Sequence, residues 1–196
     1  KWRNYFRSTK AHNTIVISNK EQSQYWASFR VAKRISKVRR RKFIYNNIIF
    51  YSGAYVAYHG IEHKRFIGFI DKNKILVLDI VNSEISDIKS YIHFVPEAKI
   101  DVCNNDIYVI TNKSSILINP IGTSNIKIEQ GWYSEQMNLK KRNNHLVIEK
   151  NKNAKFFGYI LDMTLRNNEI ITSEHQLKIV GNNELIINVK ELGDML

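Results

Sequence analysis

FIYNNIIFYSGAYVAYHGIEHKRFIGFIDKNKILVLDIV, residues 43–81, is the stretch that decides the fold class. Ile, Val, Phe and Tyr dominate segments 43–51, 54–58, 63–70 and 74–81, and Ser52-Gly53, Gly60 and Asp71-Lys72-Asn73 separate them. Short runs of β-branched and aromatic residues bounded by turn formers spell an antiparallel meander. The rhythm resumes over 91–94, 98–102, 106–111 and 115–119, with turns at Asn104-Asn105 and Asn112-Lys113. It continues over 126–129, 145–150, 154–163, 169–172, 176–180 and 184–189. So many short strands without a convincing amphipathic helix predict an all-β chain: a two-layer antiparallel β-sandwich, jelly-roll-like or supersandwich, with a barrel as the less favoured alternative. Pro96 and Pro120 fall at strand ends, where a missing backbone donor is tolerated.

The chain of 196 residues shows no internal repeat and no low-complexity linker, so one domain spanning 1–196 is expected. It begins mid-pattern at Lys1-Trp2-Arg3, without Met or a signal-like apolar segment, and reads as a piece of a longer protein. No apolar run approaches the roughly 20 residues that a membrane-spanning helix needs. A lone Cys103 excludes an internal disulfide and leaves the compartment open. The net charge of +12 at pH 7 creates a field that attracts polyanions, whether nucleic acid, anionic lipid or acidic polysaccharide, and does not choose among them. Segment 33–42 is seven-tenths cationic and reads either as a polyanion track or as a strand edge defended by charge.

Self-contained catalytic signatures are absent: there is no Gly-rich phosphate loop, His-Glu-x-x-His, Cys pair or Gly-x-Ser-x-Gly elbow. The six histidines are scattered, and His59 and His63, flanking Gly60, read as two exposed loop histidines. The most distinctive stretch is residues 5–29, YFRSTKAHNTIVISNKEQSQYWASF. Arg7, Lys10 and His12 precede the β-branched run Thr14 to Ile17, and a further strand is expected over 25–31. A histidine at the mouth of a strand is either a ligand or a partner of local backbone.

Residues 5–14 and the Glu21-Gln22-Ser23 turn resemble the C-terminal β-sandwich domain of the heparinase II/III-like polysaccharide lyases. The resemblance continues in order through Phe29-Arg30-Val31, His63-Lys64-Arg65, Ile75 to Asp79, His93-Phe94-Val95-Pro96-Glu97 and Glu129-Gln130-Gly131-Trp132-Tyr133-Ser134. It implies β-elimination on an acidic, uronic-acid-containing polysaccharide. A base removes the proton beside the carboxylate, a cation or hydrogen-bond donor neutralises that carboxylate, and an acid assists the departing glycosidic oxygen. In this family the acid and base come from a preceding helical toroid domain, so the resemblance implies a C-terminal fragment with no catalytic residue of its own. It also implies export to the periplasm or medium, and a zinc ion for which His12 is the candidate ligand and Asn13 a supporting group. With the family's other zinc ligands expected before Lys1, the chain alone is expected to bind zinc weakly or not at all. Arg7 and Lys10 are placed to help neutralise a uronate carboxylate, Arg7 through its fork and Lys10 as a point charge. The competing reading is a non-catalytic carbohydrate-binding or structural module of a surface-polysaccharide protein. A basic nucleic-acid-binding domain ranks last, because no motif for it is present.

Overall fold

The computed structural model describes residues 2–26, 30–81, 85–181 and 184–196. Its strands are β1 (Ile15–Ile17), β2 (Arg39–Tyr45), β3 (Ile48–Val56), β4 (Glu62–Asp71), β5 (Lys74–Val81), β6 (Ile88–His93), β7 (Lys99–Cys103), β8 (Asp106–Ile110), β9 (Ser115–Ile121), β10 (Thr123–Tyr133), β11 (Lys141–Lys150), β12 (Phe156–Asp162), β13 (Glu169–Thr172), β14 (Gln176–Val180) and β15 (Glu184–Asn188). Two short helices complete it, α1 (Trp2–Arg7) and α2 (Val189–Asp194).

A central sheet of eight strands runs in the order β2-β3-β4-β5-β12-β9-β8-β7. On one face lies a four-stranded sheet, β1-β6-β11-β10. Alternate residues of each strand meet between the two layers: Val77 and Tyr159 from the central sheet pack with Ile92, Leu146 and Ile148. The other face, carrying Phe50, Phe66, Leu76, Leu78 and Ile160, is covered by β13-β14-β15 and α2 through Leu177, Ile179, Ile187 and Leu192. The fold is therefore the expected antiparallel sandwich, with a third, smaller sheet stacked on the back of the central one. No described helix is long and apolar enough to cross a membrane.

Several local expectations move. The predicted strand 43–51 is in fact a hairpin. Asn46 and Asn47 both take positive φ, 50° and 61°, so the chain reverses there and β3 runs unbroken through Ser52-Gly53. Asparagine tolerates the left-handed region, which the mirror-image hairpin turn requires at both central positions. The cationic segment ends in β2, the edge of the central sheet, where Arg39 pairs with Glu62 and Arg41 donates to the Met195 carbonyl. This is the charge-defended edge. The predicted strand 25–31 lies partly outside the described residues, and a single bridge joins Tyr25 to Val31. Two helical turns were not anticipated: α1, and α2, whose first turn is capped by the Asn188 side chain accepting from the Lys190 and Glu191 amides.

Candidate polysaccharide-facing site

The site lies on the outward face of the four-stranded sheet, where residues 8–14 fold over β6 and β11. Those residues are held by side chains. Ser8 Oγ donates to the Tyr5 carbonyl at 2.7 Å, the Glu21 carboxylate accepts from the Thr9 amide, and the Gln22 amide donates to Thr9 Oγ1 at 2.8 Å. Gln22 Nε2 reaches Thr14 Oγ1 at 2.9 Å. The Glu21-Gln22-Ser23 turn is thus the clamp that sets where His12 and Asn13 sit.

Asn13 closes the loop onto β6. Its Oδ1 accepts from the His93 amide at 2.8 Å, and its carbonyl accepts from Arg65 Nη1 at 2.6 Å. Arg65 comes from beneath, out of a buried charged group between the layers. Its Nε and Nη2 bind both oxygens of Asp79 at 2.7 and 2.8 Å, and His63 Nε2 lies 2.7 Å from the same carboxylate. Asp79 has no solvent exposure. Burial pushes its carboxyl up, but Arg65 and His63 outweigh burial and hold it well below the usual carboxylate range. Burial pushes the Tyr55 hydroxyl, 3.1 Å from His63 Nδ1, well above its ordinary value. His63 is therefore a buried strand residue, 3% exposed, and not the exposed loop histidine that its place beside Gly60 suggested. The alternation of β4 turns it inward.

Above this anchor stand two imidazoles. His93 and His145 pair across β6 and β11 and stack with ring centroids 4.7 Å apart, with Tyr91 alongside. His93 Nε2 donates to the Lys10 carbonyl at 2.8 Å. Burial, with His145 and His12 nearby, lowers the His93 pKa, and burial lowers that of His145 against the pull of Glu129, whose Oε2 lies 3.7 Å from its Nε2. Both rings are thus biased toward the neutral form, able to accept a hydrogen bond.

Beside them is a small polar niche. Gly131 pairs with Asn143 across β10 and β11, and a Cβ there would stand 2.8 Å from the Tyr5 hydroxyl, 3.0 Å from His145 Nδ1 and 3.2 Å from Asn143 Oδ1. His145 Nδ1 and Asn143 Oδ1 are buried without a hydrogen-bond partner, and Tyr5 accepts from the Trp132 amide at 2.9 Å, keeping its own proton to give. One flank is an aromatic and cationic shelf. Trp2 meets Trp132 edge-on at 4.9 Å, Arg142 lies 3.9 Å over the Trp132 ring and Lys140 4.6 Å over Trp2.

Of the residues singled out from sequence, Lys10, His12 and Asn13 come together around His93, with Lys10 and His12 exposed. Arg7 ends α1 with its guanidinium 4.1 Å over the Tyr25 ring. Among the described residues no three His, Cys, Asp or Glu side chains converge on a metal position. His12 and the described residues around it do not by themselves fit a zinc ion. Tyr5, Asn143 and His145 were not singled out. The signals available were weak: Tyr5 and Gly131 lie inside recognisable motifs, while His145 merely begins a predicted strand, and only the pairing of β6, β11 and β10 brings them to one point.

The sequence pattern described as heparinase II/III-like, C-terminal, matches residues 1–177. The chain belongs to this family. No curated protein sequence matches it. Among solved structures, a mutant of the heparan sulfate lyase HepC from Pedobacter heparinus superposes with a TM-score of 0.70 at 19% identity, covering 96% of this chain and 32% of that one. A crystal structure of heparinase III superposes with a TM-score of 0.70 at 13% identity, covering 95% and 30%. At such identities the likeness concerns the fold. The heparinase II/III-like chain described here spans about a third of these neighbours, and its loop 8–14, β6 and the β10–β11 hairpin all lie within the matched region.

Proposed function

We propose that this chain is the polysaccharide-facing sandwich of a lyase that cleaves a uronic-acid-containing polymer by β-elimination. The observation that carries the reading is the niche at Gly131, where two buried polar atoms, His145 Nδ1 and Asn143 Oδ1, lack partners beside a hydroxyl that retains its proton. A sugar hydroxyl both donates and accepts, so it satisfies such a set, and the Trp2–Trp132 shelf offers apolar faces to a ring. Lys10 and Arg7 supply positive charge for the uronate carboxylate, Arg7 with its guanidinium held at Tyr25. The family resemblance supports a helical domain elsewhere in the protein as the source of the proton-transferring groups, and export as its destination. It also supports His12 as a zinc ligand together with donors other than the described residues around it.

The test compares the natural full-length protein, the 196-residue chain, and full-length Gly131→Ala and His145→Ala variants on a panel of uronic-acid polysaccharides, following the ultraviolet absorbance of the unsaturated uronate product. Expected are turnover by the full-length protein, none by the chain alone, and a loss of roughly tenfold or more in kcat/KM for Gly131→Ala, whose methyl fills the niche. A silent full-length protein, or a Gly131→Ala variant as active as the parent, overturns the reading. Metal analysis of the full-length protein and its His12→Ala variant tests the zinc assignment separately.

A further inference from the structure

β4 presents His63 and Arg65 toward the four-stranded sheet and Lys64 to the opposite side. There, Lys64 Nζ donates to the Gly193 carbonyl at 2.9 Å and lines a cleft of about 730 Å³ between the ends of central strands β4, β5 and β12 and α2. The β11–β12 turn brings Lys150, Lys152 and Lys155 to this cleft, and α2 brings Lys190. Three carboxylates also line it. Glu62 is engaged by Arg39, Glu174 lies 3.8 Å from His175, and Asp194 ends α2. Among the described residues none of the five lysines makes an ion pair.

Lys150 is the telling member. It is 7% exposed, its ammonium has one bond, 3.1 Å to the Asn151 carbonyl, and burial together with Lys155 lowers its pKa. Burying an ammonium beside another cation is costly without a counter-charge, and an anion seated between them relieves that cost. The cleft also does not end at the lysines. A second concavity of about 680 Å³ shares Asn153, Ala154, Lys155, Phe156 and Glu174 with it, and is lined further on by Thr123, Asn151, Thr172 and Ser173. Cations at one end and neutral amides and hydroxyls along the other suit a chain with both charged and hydroxyl groups better than a bare inorganic ion.

We infer that this groove is a second binding site for an acidic saccharide chain, taking sulfate or carboxylate groups among Lys64, Lys150 and Lys155 and ring hydroxyls along Thr123, Asn151 and Thr172. For its ligand class the inference rests on the reading above, but it uses none of the same residues. Two sites, one on the outward face of the four-stranded sheet and one beside α2, hold one long polymer more firmly than either alone, provided that the polymer spans both.

The experiment is a titration of the ¹⁵N-labelled chain, followed by amide shifts, with a sulfated uronate hexasaccharide, its unsulfated counterpart and sodium sulfate. Expected are shifts across Lys152 to Phe156 and at Lys190 with either saccharide, weakening as salt rises. Lys150→Met with Lys155→Met lowers that affinity roughly tenfold or more, without moving shifts at Gly131 or His145. Should this pair disturb folding, Lys152→Glu with Lys155→Glu, both exposed, replaces it and carries the same expected loss. Saccharides that leave the groove amides unmoved, sulfate alone binding as tightly as the saccharides, or groove affinity unchanged in the charge variants overturns the inference. Groove shifts without any at Gly131 or His145 count against the first site alone.

Discussion

His145 carries one ring nitrogen near Glu129 and another with no partner, in a setting that favours the neutral ring. A histidine whose folded pKa is depressed leaves the unfolded chain holding more protons below about 6.5, so its contribution to stability is present above that pH and lost as pH falls toward the folded value. Stability from urea unfolding is therefore expected to decline below about pH 6.5, and His145→Gln to flatten part of that slope. Asp79 acts in the same direction at lower pH: its depressed carboxyl stabilises the fold above the ordinary carboxylate range, and that contribution is lost as pH falls from there toward the folded value. Asp79→Asn leaves Arg65 and His63 facing a neutral amide between two sheets. A loss of about 3–5 kcal/mol is expected in urea unfolding, as for other broken buried pairs. Because Arg65 also holds the Asn13 carbonyl, the His12 and Asn13 amide resonances are expected to broaden or shift in the same variant.

Elements meet at positions where side-chain size decides the outcome. The β2–β3 hairpin turns on Asn46 and Asn47 in left-handed backbone, and a β-branched residue there is strained. Asn47→Val is expected to cost about 1–2 kcal/mol, read from the urea midpoint at unchanged slope, while Asn47→Gly is tolerated. On β4, Gly68 lies under the Phe50 ring, and an added Cβ would collide with it. Gly68→Ala is expected to cost about 1–3 kcal/mol, because the ring it would displace is fully buried in the core.

For the whole molecule, three stacked sheets carry the Gly131 niche on the outward face of the four-stranded sheet and the lysine-lined groove beside α2. The alternation of β-branched and aromatic runs and the Asn-rich and Gly-rich turns determined by themselves that the chain is an antiparallel all-β sandwich, because side-chain period and turn chemistry are local properties, while the motifs from Tyr5 to Ser134 carried the family resemblance. Strands 169–172 and 176–180 were legible to the residue for the same reason. The Asn46-Asn47 reversal was hidden because apolar residues continue on both sides of it, and α2 was hidden because a six-residue helix has too few turns to show a period. Lys10, His12 and Asn13 were legible as one basic turn. That His93 stacks on His145, that Gly131 opens a niche between Tyr5 and Asn143, and that Lys64 joins Lys150 across a cleft depend on which strands pair and in what register. Those contacts join residues far apart in the chain, so only the tertiary structure decides them.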